Sequence, residues 1–381
     1  MTQALKRSAG SGILGLSPHN QTLAAAVEAS DSIVTLGHTS PLAIEEALLA
    51  MSCVSRRARA RSDITLRLPQ AEDDRETLRR WGFQSAIEGA AGPLLLKLVA
   101  PDDQEHFGEP RRPFDCEPLD AGLEALVSRL GADGFFGLTL YELTARGALS
   151  RMIRREWHRW RNLVMLELLD SHASGPSKDI ARVIVHELLA NAIQHPDART
   201  ATVATSVESS QEGGNPELVV AIWDDGRSIV ETLREFVDKG LRTPDQSNED
   251  DRFALHADGW STSMSEVLSN WAPAGPVHDG ELLLASLFPG ISRKAHALGF
   301  PHVDRPEPVE WEGRTGFGLY ALYKSAIDDF NGSLAIWSNR YVLQLSRSKL
   351  DANREYSVVV SRLRGSPLQG NLISVRLPLS Q

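Results

Sequence analysis

The chain has 381 residues, a hydrophobic fraction of 42% and a formal net charge of −10. This length exceeds a typical single domain, so two domains are expected, and the apolar content is that of an ordinary globular protein. The acidic balance disfavours a protein that coats nucleic acid. Two cysteines without Cys-x-x-Cys spacing give no metal signal and fit a reducing cytosol. No apolar run approaches the roughly 20 residues that span a bilayer. A cytoplasmic protein without a membrane partner is therefore expected.

Residues 1–100 predict a small α/β domain. The first 20 residues are rich in glycine and serine near residues 8–17, which predicts a loosely held start. Short apolar runs then alternate with helical patterns, a rhythm typical of parallel strands joined by helices. Strands are predicted at residues 32–36, 63–69 and 94–99, and helices at residues 42–54 and 75–82.

Residues 101–118 predict a linker, since they are polar and interrupted by prolines. Residues 119–175 predict a helical connector. It contains a basic, aromatic segment that includes Trp157 and Trp160. Two interpretations stay open: a solvated helix face with packed tryptophans, or a contact for phosphates. Only the second interpretation would fit a nucleic-acid partner, and the negative net charge of the chain does not favour such a partner.

Residues 179–195 predict a helix, because they lack glycine and proline and carry apolar residues at helical spacing. Glu187, Asn191 and His195 fall at i, i+4 and i+8, so a carboxylate, an amide and an imidazole share one side of this helix. Taken alone, such a row is more often a solvent-exposed face than a functional site.

Residues 201–207 and 218–223 alternate or run apolar as strands do, with a glycine-containing turn between them that predicts a hairpin. The second strand ends at Asp224, and Gly226 follows in the predicted turn.

Residues 229–312 separate this turn from the next motif, and the segment is long enough for a mobile lid. Helices are predicted at residues 229–237 and 281–287, with a flexible acidic stretch at residues 245–258. Arg293 and Lys294 are either ordinary surface cations or groups that reach a phosphate when the lid closes.

Residues 313–318 contain three glycines and run directly into an apolar helix at residues 319–330. Glycines at a helix N-terminus let backbone N–H groups approach a phosphate. Strands are then predicted at residues 333–337, 341–345, 356–360 and 372–377. The expected fold is an α/β sandwich, with a layer of helices on one mixed, mostly antiparallel sheet.

Three motifs resemble, in this order, the N-box and the two glycine boxes of the GHKL ATP-binding superfamily. They are the helix at residues 179–195, the strand and turn at residues 218–229, and the glycine-rich segment with the start of its helix at residues 313–323. That group includes the gyrase B subunit, the ninety-kilodalton heat-shock chaperones, histidine kinases and MutL-type repair proteins. The resemblance implies a GHKL-type domain over residues 176–381, with ATP and Mg²⁺ as cofactors. The N-terminal α/β unit resembles the STAS-type domains often found beside GHKL partners.

The resemblance also implies roles for individual residues. Asn191 would hold Mg²⁺, Glu187 would be the general base, and Asp224 would accept a hydrogen bond from the adenine amino group. Gly226 would give the base room, whereas Ser228 stands where the family has a second glycine. The other residues expected to contact the nucleotide are His195, Gly313, Thr315, Gly316, Phe317, Gly318 and Leu319, together with Arg293 and Lys294 if the lid closes.

The resulting hypothesis is an ATPase that acts as a conformational or dimerisation switch in signalling or defence, with a protein partner or a homodimer. Two alternatives stay open. The first is a serine kinase, because the N-box is similar to that of anti-sigma-factor serine kinases, which oppose STAS-domain partners. The second is an ATP sensor that does not hydrolyse ATP, because a serine at position 228 replaces the second glycine. No P-loop, dinucleotide-binding fingerprint or hydrolase nucleophile elbow is found in the sequence.

Overall fold

The computed structural model describes a small sheet, a large sheet and the helices packed on them. The residues described are 16–27, 33–39, 41–60, 64–81, 83, 87, 96–99, 134–139, 184, 187–188, 198, 200–208, 217–238, 252–255, 260–263, 279–287, 318–347 and 356–379.

The small sheet has three parallel strands. In spatial order they are β1 (Ile33–Thr35), β2 (Ile64–Arg67) and β3 (Leu96–Val99). The helices of this region are α1 (Pro18–Val27), α2 (Ile44–Arg59) and α3 (Glu72–Trp81). The structure confirms the three predicted strands, their parallel pairing and the helices α2 and α3.

The start of the described chain is a helix rather than a loosely held segment. α1 begins at Pro18, and proline is favoured at the first helical position because its missing N–H would have no partner there. Leu16 is buried, and the backbone N–H of Ser17 donates to Oε1 of Gln344 at 3.0 Å. The prediction of weak order was therefore wrong for the end of the first 20 residues.

The large sheet has nine strands and is mixed. They are β4 (Gly134–Thr139), β5 (Thr200–Glu208), β6 (Glu217–Asp224), β7 (Arg252–Leu255), β8 (Trp260–Ser263), β9 (Ser333–Ser338), β10 (Tyr341–Arg347), β11 (Tyr356–Arg362) and β12 (Asn371–Pro378). Their spatial order is β4-β5-β6-β12-β9-β10-β11-β7-β8. Among these strands only β7 and β11 pair in parallel. The predicted mixed, mostly antiparallel sheet is confirmed, and so is the hairpin of β5 and β6.

Two strands lie where the sequence predicted other structure. β4 falls within the predicted helical connector, yet it pairs antiparallel with β5. Its six residues include two glycines, two phenylalanines and a threonine, which disfavour a helix and favour a strand. β7 falls within the acidic stretch that was predicted to be flexible, and it adds to the sheet beside β11.

In the second half of the chain the described residues contain three helices, and all three were predicted. They are α4 (Ile229–Asp238), α5 (Asp279–Ala285) and α6 (Gly318–Lys324), and α6 continues into a π-helical turn at Ser325–Asp329. α4 and α5 pack on each other, α5 packs on β10 and β11, and the π-helical turn packs on β9, β10 and β12. None of the helices in the described part of the chain combines the length and the hydropathy needed to cross a membrane.

α2 lies between the two sheets. It contacts β1 and β2 on one side and β5, β6 and β12 on the other. This two-sided packing explains why 11 of its 16 residues are buried. The sequence predicted one layer of helices on the large sheet, whereas α2 adds a layer on the second face. There it shares a core with Trp223 and Trp337, which are both fully buried.

A buried charged cluster joins α1 and α2 to the large sheet. Arg376 of β12 forms ion pairs with Glu45 of α2 at 2.8 Å, with Glu208 of β5 at 2.9 Å and with Glu217 of β6 at 3.4 Å. Nε2 of His19 lies 2.8 Å from a guanidinium nitrogen of Arg376. These five residues are called the charged cluster below.

The charged cluster shifts the pKa values of its own members. Burial by itself raises the pKa of Glu45, but the Arg376 guanidinium, followed by the contact with His19, outweighs burial and holds that pKa well below its usual value. Burial, reinforced by the charge of Glu45, raises the pKa of Glu208. Burial lowers the pKa of Arg376, but the neighbouring carboxylates, Glu45 first, leave it above its usual value. Glu45 and Arg376 therefore stay ionised as a pair.

Candidate functional site

The turn after β6 holds two carboxylates and a glycine in buried positions. Asp224 is 4% exposed and Asp225 is 6% exposed. The backbone N–H of Gly226 donates to Oδ1 of Asp224 at 2.9 Å. This bond, from the N–H two residues after the aspartate, forms an Asx-turn. The strand and turn predicted from the sequence are confirmed, with Asp224 as the last residue of the strand.

A polar row crosses three neighbouring strands at this end of β6. Nδ2 of Asn371 donates to Oδ2 of Asp224 at 3.2 Å, and Oγ of Ser338 donates to Oδ1 of Asn371 at 2.8 Å. The register places Asn371 directly opposite both neighbours. Asn371 also accepts from the N–H of Ile229 at 2.7 Å and donates to the carbonyl of Arg227 at 3.1 Å. One buried amide thus ties β6, β9, β12 and the start of α4 together.

Two glycines allow the backbone to approach this row closely. A Cβ on Gly226 would lie 2.9 Å from Oδ1 of Asp224 and 3.0 Å from Cβ of Ala198. Gly370 has a φ of +71°, and a Cβ there would lie only 1.7 Å from the carbonyl oxygen of Asp224. Neither position accepts a side chain without moving the turn.

Ser228 begins a helix instead of extending the glycine-rich turn. Its Oγ accepts from the N–H of Glu231 at 3.1 Å, and Oε2 of Glu231 accepts from the N–H of Ser228 at 2.9 Å. This reciprocal pair is a capping box, which satisfies two N–H groups at the start of α4. Ser228 stands where the resemblance would place a second glycine, and here it is the N-cap of α4.

The helix that follows the glycine-rich segment lies on the same face of the sheet as Asp224. α6 begins at Gly318, and its Tyr323 packs edge to face on Tyr356 of β11, with ring centroids 5.4 Å apart. The pairings from β11 through β10, β9 and β12 to β6 place Tyr356 and Asp224 on one face. Nζ of Lys324 donates to the Tyr356 hydroxyl at 2.9 Å, which fixes the end of α6 on the sheet.

The predicted catalytic helix is described at three residues. Ile184, Glu187 and Leu188 are helical. Ile184 and Leu188 are fully buried while Glu187 is partly exposed, as expected for a helix with one apolar side.

Leu319 is also described and lies partly buried in the first turn of α6. The predicted site residues that lie outside the described residues are Asn191, His195, Arg293, Lys294, Gly313, Thr315, Gly316 and Phe317.

The described residues contain no group of three or more His, Cys, Asp or Glu side chains that could hold a metal ion. Magnesium in nucleotide sites is usually held by one or two protein oxygens together with phosphates and water, so it does not need such a group.

Several residues around the turn were not found from the sequence. They are Arg59, Ser338, Gln369, Gly370 and Asn371. Gly370 before a strand is a turn signal, but no local pattern links Asn371 to Asp224, which lies 147 positions earlier. Such a contact follows only once β12 is known to lie between β6 and β9.

Comparisons of the chain with family models, with curated proteins and with solved structures found no match. What can be inferred about function therefore comes from the contacts of Asp224 and its neighbours, together with the order of the motifs.

Proposed function

We propose that this chain binds ATP with Mg²⁺ in a GHKL-type site, hydrolyses it, and uses the cycle as a conformational or dimerisation switch. The observation that supports this most is the polar row that holds the buried carboxylate of Asp224 at the end of β6. The helix that follows the glycine-rich segment lies on the same face.

The chemistry of the row suits the amino group of adenine. A carboxylate accepts about four hydrogen bonds and donates none, so it selects a donor such as an exocyclic amine. The amide of Asn371 and the N–H of Gly226 fix the direction of this carboxylate before any ligand arrives, which lowers the entropic cost of binding. Gly226 lacks a side chain that would block a flat base beside the turn.

The roles of the two glycines, Asn191 and Glu187 are carried over from the family resemblance, and that of Arg293 and Lys294 follows from the charge of the phosphates. Gly316 and Gly318 would offer backbone N–H groups to the phosphates, and Asn191 would hold Mg²⁺. When bound, Mg²⁺ neutralises phosphate charge. Glu187 would polarise the attacking water, and Arg293 with Lys294 would reach the γ-phosphate from the lid.

Calorimetry with the Asp224→Asn variant tests the binding site. This change removes a charged acceptor but keeps the size of the side chain. Affinity for ADP and for a non-hydrolysable ATP analogue should fall about ten- to a hundredfold, or about 1.5–3 kcal/mol. Asp73→Asn is the matched control, since it removes the same charge from an exposed position of α3. Equal affinities for Asp224→Asn and the unaltered chain would refute the assignment.

Turnover is tested separately with labelled ATP. Release of labelled phosphate indicates an ATPase, labelled protein indicates a kinase, and binding without either indicates a sensor. Glu187→Ala should keep nucleotide affinity within a few-fold while phosphate release falls about 10²–10⁴-fold. Phosphate release by this variant at the unaltered rate would place the general base elsewhere.

The switch is tested by limited proteolysis between α4 and β7. A closed lid gains charge-assisted contacts with the third phosphate, so cleavage should slow with the ATP analogue and not with ADP. The Arg293→Ala/Lys294→Ala double variant should lose this protection and still bind ADP. Equal cleavage in all nucleotide states would exclude a nucleotide-dependent lid.

A further inference from the structure

The last residue of α2 reaches the turn that holds Asp224. The guanidinium of Arg59 donates from one nitrogen to the carbonyl of Asp225 at 2.6 Å and to its carboxylate Oδ2 at 2.7 Å. The Asp225 side chain is 9% exposed, while that of Arg59 is 42% exposed. A helix from the N-terminal region therefore contacts both the backbone and the side chain of the residue after Asp224.

A second path runs from α2 to the same turn through Gln369. Oγ of Ser52 donates to the carbonyl of Gln369 at 2.9 Å and accepts from its backbone N–H at 3.0 Å. The side-chain amide of Gln369 then donates to the carbonyls of Asp225 and Gly226, both at 2.9 Å. Two residues of one helix, seven positions apart, thus hold the turn from two directions.

These contacts act on the groups that orient the Asp224 carboxylate. The N–H of Gly226, which donates to that carboxylate, belongs to a residue whose carbonyl is held by Gln369. Gly370, the next residue after Gln369, lies against the carbonyl of Asp224. A shift of Asp225 or Gln369 would therefore change where the carboxylate points.

α2 itself is held firmly, because it is packed between the two sheets. A movement of the small sheet would therefore move the end of α2 and, through Arg59, the turn that holds Asp224.

We propose that Arg59 is a positioning residue for the nucleotide site, acting through Asp225, and that α2 is the route by which the N-terminal region sets nucleotide affinity. This inference rests on the proposed nucleotide-binding function.

Hydrogen exchange and calorimetry on the full chain test this role. The exchange readout is the turn itself, where the N–H groups of Gly226, Ser228 and Ile229 are each bonded to a side chain. In Arg59→Ala, exchange at these amides without nucleotide should rise several-fold, and ADP affinity should fall about two- to fivefold, as for a partly exposed ion pair. Arg59→Lys should restore part of both effects, because it keeps the charge.

Two further variants make the comparison specific. Arg56→Ala removes the same charge one turn earlier, where the side chain forms no hydrogen bond or ion pair within the described part of the chain, and it should change neither readout. Asp225→Asn weakens the contact from the other side, and its effect should not add to that of Arg59→Ala.

The outcomes separate the two ideas. If Arg59→Ala matches Arg56→Ala in exchange at the turn, the positioning role is refuted. If exchange rises while ADP affinity is unchanged, Arg59 has only a structural role, and the inference is equally refuted. If the unaltered chain binds no adenine nucleotide, the proposed function fails, and the exchange data still decide whether Arg59 positions the turn.

Discussion

Two buried carboxylates lie against opposite faces of the large sheet and are held in different ways. Glu45, on the face covered by α2, is paired with the guanidinium of Arg376 and accepts a hydrogen bond from Ser374 at 2.9 Å. The hydrogen bonds described for Asp224, on the other face, come from an amide and a backbone N–H. The first carboxylate is paired with a cation of its own fold, whereas the second is oriented by the amide of Asn371 and the N–H of Gly226.

This difference fits a structural role for Glu45 and the proposed recognition role for Asp224. A buried charge is tolerable when an opposite charge compensates it within the fold, and removing one partner then leaves an uncompensated charge. A carboxylate whose direction is fixed by surrounding donors suits a ligand that donates hydrogen bonds to it. Changes to Glu45 or its partners in the charged cluster should therefore affect stability alone, while changes to Asp224 or its partners should affect stability and nucleotide binding.

The largest effect is expected for Arg376→Ala. This change leaves Glu45 buried without its cation, so the free energy of unfolding should fall by about 3–5 kcal/mol in a urea titration at pH 7. Nucleotide affinity of the folded protein should be unchanged. Glu217→Ala, at the exposed edge of the charged cluster, is the control and should cost less than about 1 kcal/mol. A loss of nucleotide affinity in Arg376→Ala would remove the distinction between the two faces.

A smaller loss of stability, accompanied by a loss of binding, is expected for Asn371→Ala. The change takes hydrogen-bond partners from buried groups of Asp224, Ser338 and Ile229, which should cost about 1–3 kcal/mol. ADP affinity should fall about tenfold, because the carboxylate loses an orienting donor. Ser374→Ala, on the same strand but facing α2, should lower stability without changing ADP affinity. Equal effects of the two variants on ADP affinity would contradict the comparison.

The smallest effect is a dependence on pH. The pKa of folded Glu45 lies below its usual value of 4.5, so its favourable contribution is complete above that pH and is lost as the pH falls further. In Arg376→Ala the largest remaining influence on Glu45 is burial, which should raise its pKa. Protonation of Glu45 should therefore offset part of the stability that the variant has lost. The stability difference between the two proteins should therefore narrow by about 1 kcal/mol or more between pH 7 and pH 4. Asn371→Ala should show no such narrowing. A constant difference for Arg376→Ala would mean that Glu45 is not the group left uncompensated.

The sequence was enough for most strands and helices, because their signals are local. The alternation of β5, the apolar run of β6 and the helical spacing of α2 each lie within one segment, and Asp224 with Gly226 marks a turn on its own. β4 was missed, since its glycines and aromatics pair with β5, more than 60 positions away.

Contacts between distant segments could not be predicted. Asn371 meets Asp224 only because β12 enters the sheet beside β6, and Arg59 meets Asp225 only because α2 packs on β5, β6 and β12. No property of residues 59 or 371 by themselves indicates these partners, so the residues that orient the candidate site became visible only in three dimensions.

The shared position of α2 has a consequence for how the protein melts. α2 packs on both sheets within one continuous core, so it cannot leave one sheet without exposing the other, and the two sheets should unfold together. A calorimetric scan should give a single transition whose measured enthalpy equals the van't Hoff enthalpy. For the same reason, a chain nicked within residues 101–118 should remain one particle in size-exclusion chromatography, with its two fragments held by the interface rather than by the peptide bond between them.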